Sequence, residues 1–322
     1  MIHFSSESLL RFWPMRIIAG LMGRIGDLLR IDNQILAPLF DLLVRLWLAS
    51  IFLKSGFLKV SHWDTAVMLA THEYPVSWME PVTAAYAGAG IELVCAALLA
   101  LGLATRLAAL PLLILSLVIQ FEYKALNENL YWALLFGWYV IMGPGRISLD
   151  RLLSHGLRDS AIPFAGEFHR FFGVTTLIVG RIYRLLVRTV LAGILLTSGL
   201  AAAPFTDALV HYHFPVPLLP PEALYTPPVV YGVPLLLLPG LATRLTALAA
   251  AGLLAVLVIA DPPAAPLHTD YIYITMLLGF LAVLGPGRLS LDYLIDRWSN
   301  RVFPQYGGRP AEAMADLPHV VI

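Results

Sequence analysis

Ionisable residues inside apolar runs carry most of the chemical information in this chain, because a charge in hydrocarbon persists only beside a partner or a cavity. In the first half these residues are Asp41, Arg45, Lys54 and Glu92. At about 1.5 Å per residue, Arg45 lies about 10 Å and Glu92 about 13 Å above the inner ends of their apolar runs, so the two can meet. Lys54 is the poorer partner: at about 100° per residue it turns to the opposite face of the helix that carries Arg45 and sits higher in the membrane. Asp41, one turn before Arg45, is the local alternative acid. A carboxyl held beside a cation in an apolar setting can take up and release a proton. Glu92 and Arg45 are therefore the candidate catalytic residues.

In the second half the arginine returns as Arg188, but Arg184 stands in place of Asp41 and Val230 in place of Glu92. Having lost both acids, Arg188 either snorkels to the interface or turns toward Glu92, and the second course makes one shared polar site from two unequal halves. Arg188 and Lys54 are the cationic candidates for holding a ligand there. Among the aromatic residues near span ends, Tyr131, Trp138, Tyr231, Tyr271 and Tyr273 read as interfacial belt residues. Trp132 and Tyr86 belong to the same group and are the candidates for flanking a flat ring.

On the outer side, His62, Asp64, His72, Glu73 and Glu80 face Asp207, His211, His213, Glu222, Asp261, His268 and Asp270. Such a set could bind a metal or relay protons, yet wet loops collect polar residues anyway and no tight His-Glu-x-x-His spacing is present. No metal site is assigned. No histidine falls inside an expected span, which disfavours a haem held by two histidines. The single cysteine, Cys95, excludes intramolecular disulfides and dithiol chemistry.

The elements that must position these residues follow from composition. Hydrophobic residues make up 59% of the 322, charged residues 13%, and the mean hydropathy is +0.77. That balance belongs to a polytopic membrane protein, and long unbroken apolar runs specify helices rather than a barrel. The fold class is therefore all-α. A net charge of zero and the lack of a basic, aromatic-interleaved patch exclude nucleic acid as a partner.

Two motifs occur twice. Gly143-Pro144-Gly145-Arg146-Ile147-Ser148-Leu149-Asp150 returns as Gly285-Pro286-Gly287-Arg288-Leu289-Ser290-Leu291-Asp292, and Gly102-Leu103-Ala104-Thr105-Arg106 returns as Gly240-Leu241-Ala242-Thr243-Arg244. A period of about 140 residues indicates tandem domains rather than a solenoid. In each motif glycine ends a span and arginine is expected at the headgroups. Ser148 and Thr105 are expected to cap the following helices, with Asp150 in the first turn of its own helix.

The expected layout is an interfacial amphipathic segment over 1–37, a four-helix module over 38–153, an interfacial linker over 154–181, a second module over 182–295 and a cytoplasmic tail over 296–322. Spans are expected near 38–59, 82–101, 105–122, 129–143, 182–203, 227–241, 244–261 and 270–285, eight in all. With a cytoplasmic N-terminus the arginines fall inside and only Lys59 and Lys124 fall outside, which puts both termini in the cytoplasm and both modules in one orientation. The N-terminus lacks the pattern of a cleaved signal peptide, so insertion is expected to use the first span itself.

Arg45, Ser55-Gly56 with Lys59, Glu92, Gly102-x-x-Thr105-Arg106 and the Gly-Pro-Gly-Arg-x-Ser-Leu-Asp ending together resemble the DoxX family of four-helix membrane proteins. The likeness covers about 41–153 and, less completely, 182–295, where Glu92, Lys54 and Lys59 become Val230, Thr197 and Ala202. The resemblance implies a bacterial or archaeal cytoplasmic-membrane protein. Some relatives serve as subunits of thiosulfate:quinone oxidoreductase or other redox complexes, and many have no settled activity. It also implies that Arg45 and Glu92 are the family's intramembrane charged pair. On that footing the chain is expected to be a membrane subunit that holds a quinone, surrounded by membrane lipids and supplied with electrons by a redox partner subunit. No haem, flavin or nicotinamide signature is present in its own sequence. The competing expectations are a non-catalytic membrane scaffold or assembly factor, and a small-solute transporter on parallel repeats.

Overall fold

The computed structural model describes residues 13–73, 75–123, 127–157, 165–200, 232–260, 268–285 and 287–302. All regular structure among them is helical. Helix α1 spans Trp13–Ser61 and α2 spans Trp63–His72. An interfacial helix and a separate first span were expected; α1 instead runs as one 49-residue helix with Pro38 inside it. Proline removes one hydrogen bond of the ladder, and here the flanking turns carry the helix across it.

The second crossing segment is compound. Helix α3 (Pro81–Gly90) passes through a π-helical turn at Ile91–Cys95 into α4 (Ala96–Leu101). Glu80 starts it: its carboxylate accepts from the Thr83 backbone N–H at 2.9 Å and the Thr83 hydroxyl at 3.0 Å, with Pro81 in the first turn, where no N–H is needed. Helix α5 (Thr105–Val118) runs into a second π turn at Ile119–Tyr123, followed by α6 (Asn127–Met142) and the short amphipathic α7 (Leu149–Leu157).

The second half comprises α8 (Ala165–Leu200), α9 (Val233–Leu237), α10 (Thr243–Ala260), α11 (His268–Leu284) and the amphipathic α12 (Leu291–Val302). Among the described residues, three helical stretches are long and apolar enough to cross a membrane: Leu36–Ser61, Pro81–Leu101 and Thr105–Glu122. Thr243–Ala255 and Asp270–Leu284 are apolar but shorter. Residues 227–231 of the expected span at 227–241, Pro227, Pro228 and Val230 among them, lie outside the described residues, as do Asp207, His211, His213, Glu222 and Asp261.

A single core joins the halves. Leu48, Phe52, Leu99, Leu112 and Phe136 are buried in continuity with Leu191, Leu277 and Leu281. At the seam Trp138 stacks on Phe280 with centroids 4.6 Å apart, and Phe40 meets Phe280 edge-on at 5.2 Å. Leu43, Phe57, Leu107 and Leu235 point outward and are exposed, as a hydrocarbon-facing surface requires.

Candidate functional site

Glu92 is buried, at 4% exposure, and opens the π turn of the second crossing segment. A π turn inserts one residue into the helical register, and such turns concentrate at functional positions. Gly56 on α1 allows the close approach: a Cβ there would lie 2.8 Å from the Leu93 side chain and 3.2 Å from that of Glu92. From one turn further along α1, the Lys59 ammonium reaches back to Glu92 Oε1 at 2.5 Å. Gly88 lies one turn before Glu92, and a Cβ there would stand in ordinary contact with the Lys59 nitrogen, at 3.8 Å. The lysine side chain is 29% exposed and the carboxylate is enclosed. Glu92 Oε2 has no hydrogen-bond partner among the described residues. One oxygen is thus neutralised and the other is left available, in a setting where an unmet polar atom is costly.

The partner expected for Glu92 was Arg45, and the structure separates them. Arg45 is fully buried beside the turn at Gly102, where its Nη2 donates to the Ile147 carbonyl and its Nε lies 3.6 Å from Asp41 Oδ2. Leu48, Ala49, Phe52, Ala96 and Leu99 fill the interval between this inner cluster and Glu92. Arg45 lies at the end of the bundle that carries the Gly102 turn, where its guanidinium meets the carbonyl of the motif that follows α6. The local alternative, Asp41, is the acid that it meets.

The repeated motifs fasten these turns together. Gly102 (φ 66°) and Ala104 (φ 47°) are left-handed, and a Cβ on Gly102 would lie 1.9 Å from Arg45 Nη1. The Asp150 carboxylate accepts from the Ala104 and Thr105 N–H groups at 2.6 and 2.8 Å, while the Asp150 N–H donates to the Gly102 carbonyl at 2.9 Å. Asp150, not Thr105, therefore caps α5, from 46 residues downstream. Ser148 does cap α7, accepting from the Arg151 N–H at 3.3 Å. Arg106 does not reach for headgroups. It folds inward and donates to the carbonyls of Val140, Ile141 and Met142, which end α6, and to Thr176 Oγ1 at 2.8 Å.

The same bonds recur in the second half. Asp292 accepts from Ala242 and Thr243 at 2.6 and 2.8 Å, and Gly240 (φ 72°) and Ala242 (φ 47°) are again left-handed. Arg188 Nη2 donates to the Leu289 carbonyl at 2.7 Å, as Arg45 does to Ile147. This overturns the expected turn of Arg188 toward Glu92: the guanidinium is held by its own half.

The remaining candidates scatter. Lys54 is exposed. Tyr86 is also exposed and packs against Trp63, centroids 4.2 Å apart. Trp132 contacts Phe52 edge-on at 5.1 Å and Tyr273 at 6.2 Å. Sequence reasoning missed Lys59, which was assigned to the outer loops. The signal was available in Gly56 and Gly88, small residues one turn from the lysine and the glutamate respectively. Among the described residues no group of three or more His, Cys, Asp or Glu side chains is placed to hold a metal ion.

The DoxX family model matches residues 40–124, the stretch that contains Arg45, Lys59, Glu92 and Arg106. The chain carries a DoxX domain. Together with the long apolar helices, this makes it an integral membrane protein. The matched DoxX stretch takes in both partners of the ion pair but ends before Asp150, which caps its third crossing helix from outside. No curated protein and no solved structure matches the chain.

Proposed function

We propose that this protein is a membrane subunit of a quinone-linked redox complex, with the Lys59–Glu92 pair as its headgroup site. In this reading two DoxX-type modules, 38–153 and 182–295, cross the cytoplasmic membrane eight times in one orientation, with both termini in the cytoplasm. The first module carries the chemistry and the second is structural, since the positions of Lys59 and Glu92 are Ala202 and Val230 there.

The single observation that carries the reading is the divided carboxylate of Glu92, with one oxygen on Lys59 and the other buried and unpartnered. A quinone offers what this pair lacks: a carbonyl oxygen to accept from the ammonium and, once reduced, a hydroxyl to donate to Oε2. Lys59 would orient the carbonyl and Glu92 would relay, one at a time from water, the two protons that reduction of quinone to quinol takes up, while both electrons come from a partner subunit. Gly56 lets the π turn lie directly against α1, which holds the Glu92 carboxylate within reach of Lys59.

The test is photolabelling of membranes with a short-chain azidoquinone, followed by mapping of the labelled peptides. Label is expected on residues 81–101 and is expected to fall at least tenfold in Glu92→Gln and Lys59→Met. Undiminished labelling in both variants ends the proposal. A second reading, a scaffold for a soluble partner, is favoured by the exposed apolar residues Leu152 on α7 and Leu294 and Trp298 on α12. It expects complex formation to survive loss of Glu92 and to fail when α7 or α12 is made polar.

A further inference from the structure

The two halves differ at one residue that faces the same turn in both. In the first half the Asp41 carboxylate lies 3.6 Å from Arg45 Nε and packs so closely on the Gly-Pro-Gly turn that a Cβ on Gly145 would come within 2.2 Å of Oδ2. It is the counter-charge of Arg45. In the second half Arg184 takes that place, with its Cδ 3.4 Å and its Nε and Nη1 each 3.7 Å from where a Cβ on Gly287 would stand. Gly287 is left-handed (φ 81°), and Gly145 is not. The exchange removes a negative charge and adds a positive one.

Among the described residues no carboxylate pairs with the added cation. Arg181, close enough to repel it, lies one turn before Arg184 and Arg188 one turn after, so three guanidiniums share one stripe of α8. Arg188 is held by the Leu289 carbonyl at 2.7 Å, and the Asp292 carboxylate near it already accepts from the N–H groups of Ala242 and Thr243. Arg184 makes neither kind of contact among the described residues. Its Nε is buried without a hydrogen-bond partner there, while the side chain as a whole is half-buried, which leaves its fork within reach of a ligand. A buried guanidinium N–H without an acceptor is costly, and like charges one turn apart add to the cost. A bound anion lifts both penalties.

We infer that Arg184, supported by the charges of Arg181 and Arg188, binds a phosphate oxyanion against the Gly287 turn, in the place that the Asp41 carboxylate fills in the first half. The planar guanidinium fork matches two oxygens of a phosphate, and the surplus of positive charge favours a group with a net negative one. That group is carried by an anionic lipid or is free in water; the chemistry is shared, and the experiment separates the sources. The inference does not rest on the Lys59–Glu92 reading, whose residues lie in the other half.

The experiment uses the full chain in nanodiscs of equal parts phosphatidylglycerol and phosphatidylcholine, with native mass spectrometry to count retained lipid. In nanodiscs of phosphatidylcholine alone, melting is followed in sodium phosphate against sodium chloride at matched ionic strength. One phosphatidylglycerol per chain, retained about tenfold over phosphatidylcholine, assigns the site to a lipid; a saturable rise in melting temperature with phosphate, without lipid preference, assigns it to the free ion. Glu92→Gln is expected to behave as the unaltered protein in both assays. Arg184→Gln is expected to weaken anion binding about tenfold. Arg184→Asp restores the pairing of the first half, and is expected to abolish anion binding while melting no lower than the unaltered protein in chloride. Equal retention of the two lipids together with no effect of phosphate overturns the inference. So does anion binding that is undiminished in Arg184→Gln and Arg184→Asp.

Discussion

Lys59 meets Glu92 at 2.5 Å across the first two membrane-crossing helices, at a level where α1 offers only Gly56 to the facing π turn. The contact joins a half-wet ammonium to an enclosed carboxylate. Breaking such a pair from one side strands the other charge, which costs about 3–5 kcal/mol for a fully buried pair and less here, where the lysine is partly exposed. Glu92→Gln and Lys59→Met should each lower the melting temperature in detergent. The double variant should melt above Lys59→Met, because the bare carboxylate is then gone. A double variant that melts below both singles would contradict the pairing.

Removing the long-range caps should be costly and additive. Asp150→Ala and Asp292→Ala each free two N–H groups at the start of α5 or α10, for an expected loss of about 1–2 kcal/mol apiece. The two caps sit in different halves and share no partner, so the double variant should show the sum. Unfolding curves of the three variants check this.

Glycine replacements should sort by what surrounds them. Gly102→Ala and Gly240→Ala place a methyl against the guanidinium of Arg45 or Arg188 at a left-handed residue and should destabilise strongly. Gly90→Ala and Gly193→Ala meet nothing within 4 Å in right-handed helix and should be neutral or stabilising by about 0.5–1 kcal/mol. Equal effects across the four would mean that the clamp is not what those turns are for.

The start of α3 should respond to acid. Backbone N–H groups of Thr83 and Val82 hold the exposed Glu80 carboxyl below its ordinary value. A group lowered in the folded state stabilises it above the unfolded pKa of about 4.3. That contribution is lost as the pH falls through the lower folded value. The fluorescence of Trp78, exposed two residues before the cap, should therefore change on acidification, and Glu80→Gln should flatten the titration.

Hydropathy located the helices expected at 82–101, 105–122 and 129–143 to within about two residues, because glycine and proline mark their ends, but it missed that α1 runs unbroken from Trp13 and that α2 follows it. Glu92 was legible as a buried charge: a carboxylate in an apolar run is conspicuous. Its partner was not, since a lysine near a span end looks solvated until a facing π turn and two glycines let it reach back. Arg45 and Arg188 stood out as costly charges, yet backbone carbonyls that satisfy them carry no mark in sequence. The cap supplied by Asp150 spans 46 residues and escapes any local reading. Its trace is that the Gly-Leu-Ala-Thr-Arg and Ser-Leu-Asp motifs occur together twice.

The cap on α5 has an implication for biosynthesis. A nascent chain emerges in order, so the N–H groups of Ala104 and Thr105 enter the bilayer region well before the carboxylate that will bind them has been translated. The hairpin formed by the second and third crossings must wait, its bend unsealed, until α6 has followed. Asp150 acts as a closing stitch: the ribosome delivers it after both helices of the hairpin, and only then is the bend fastened.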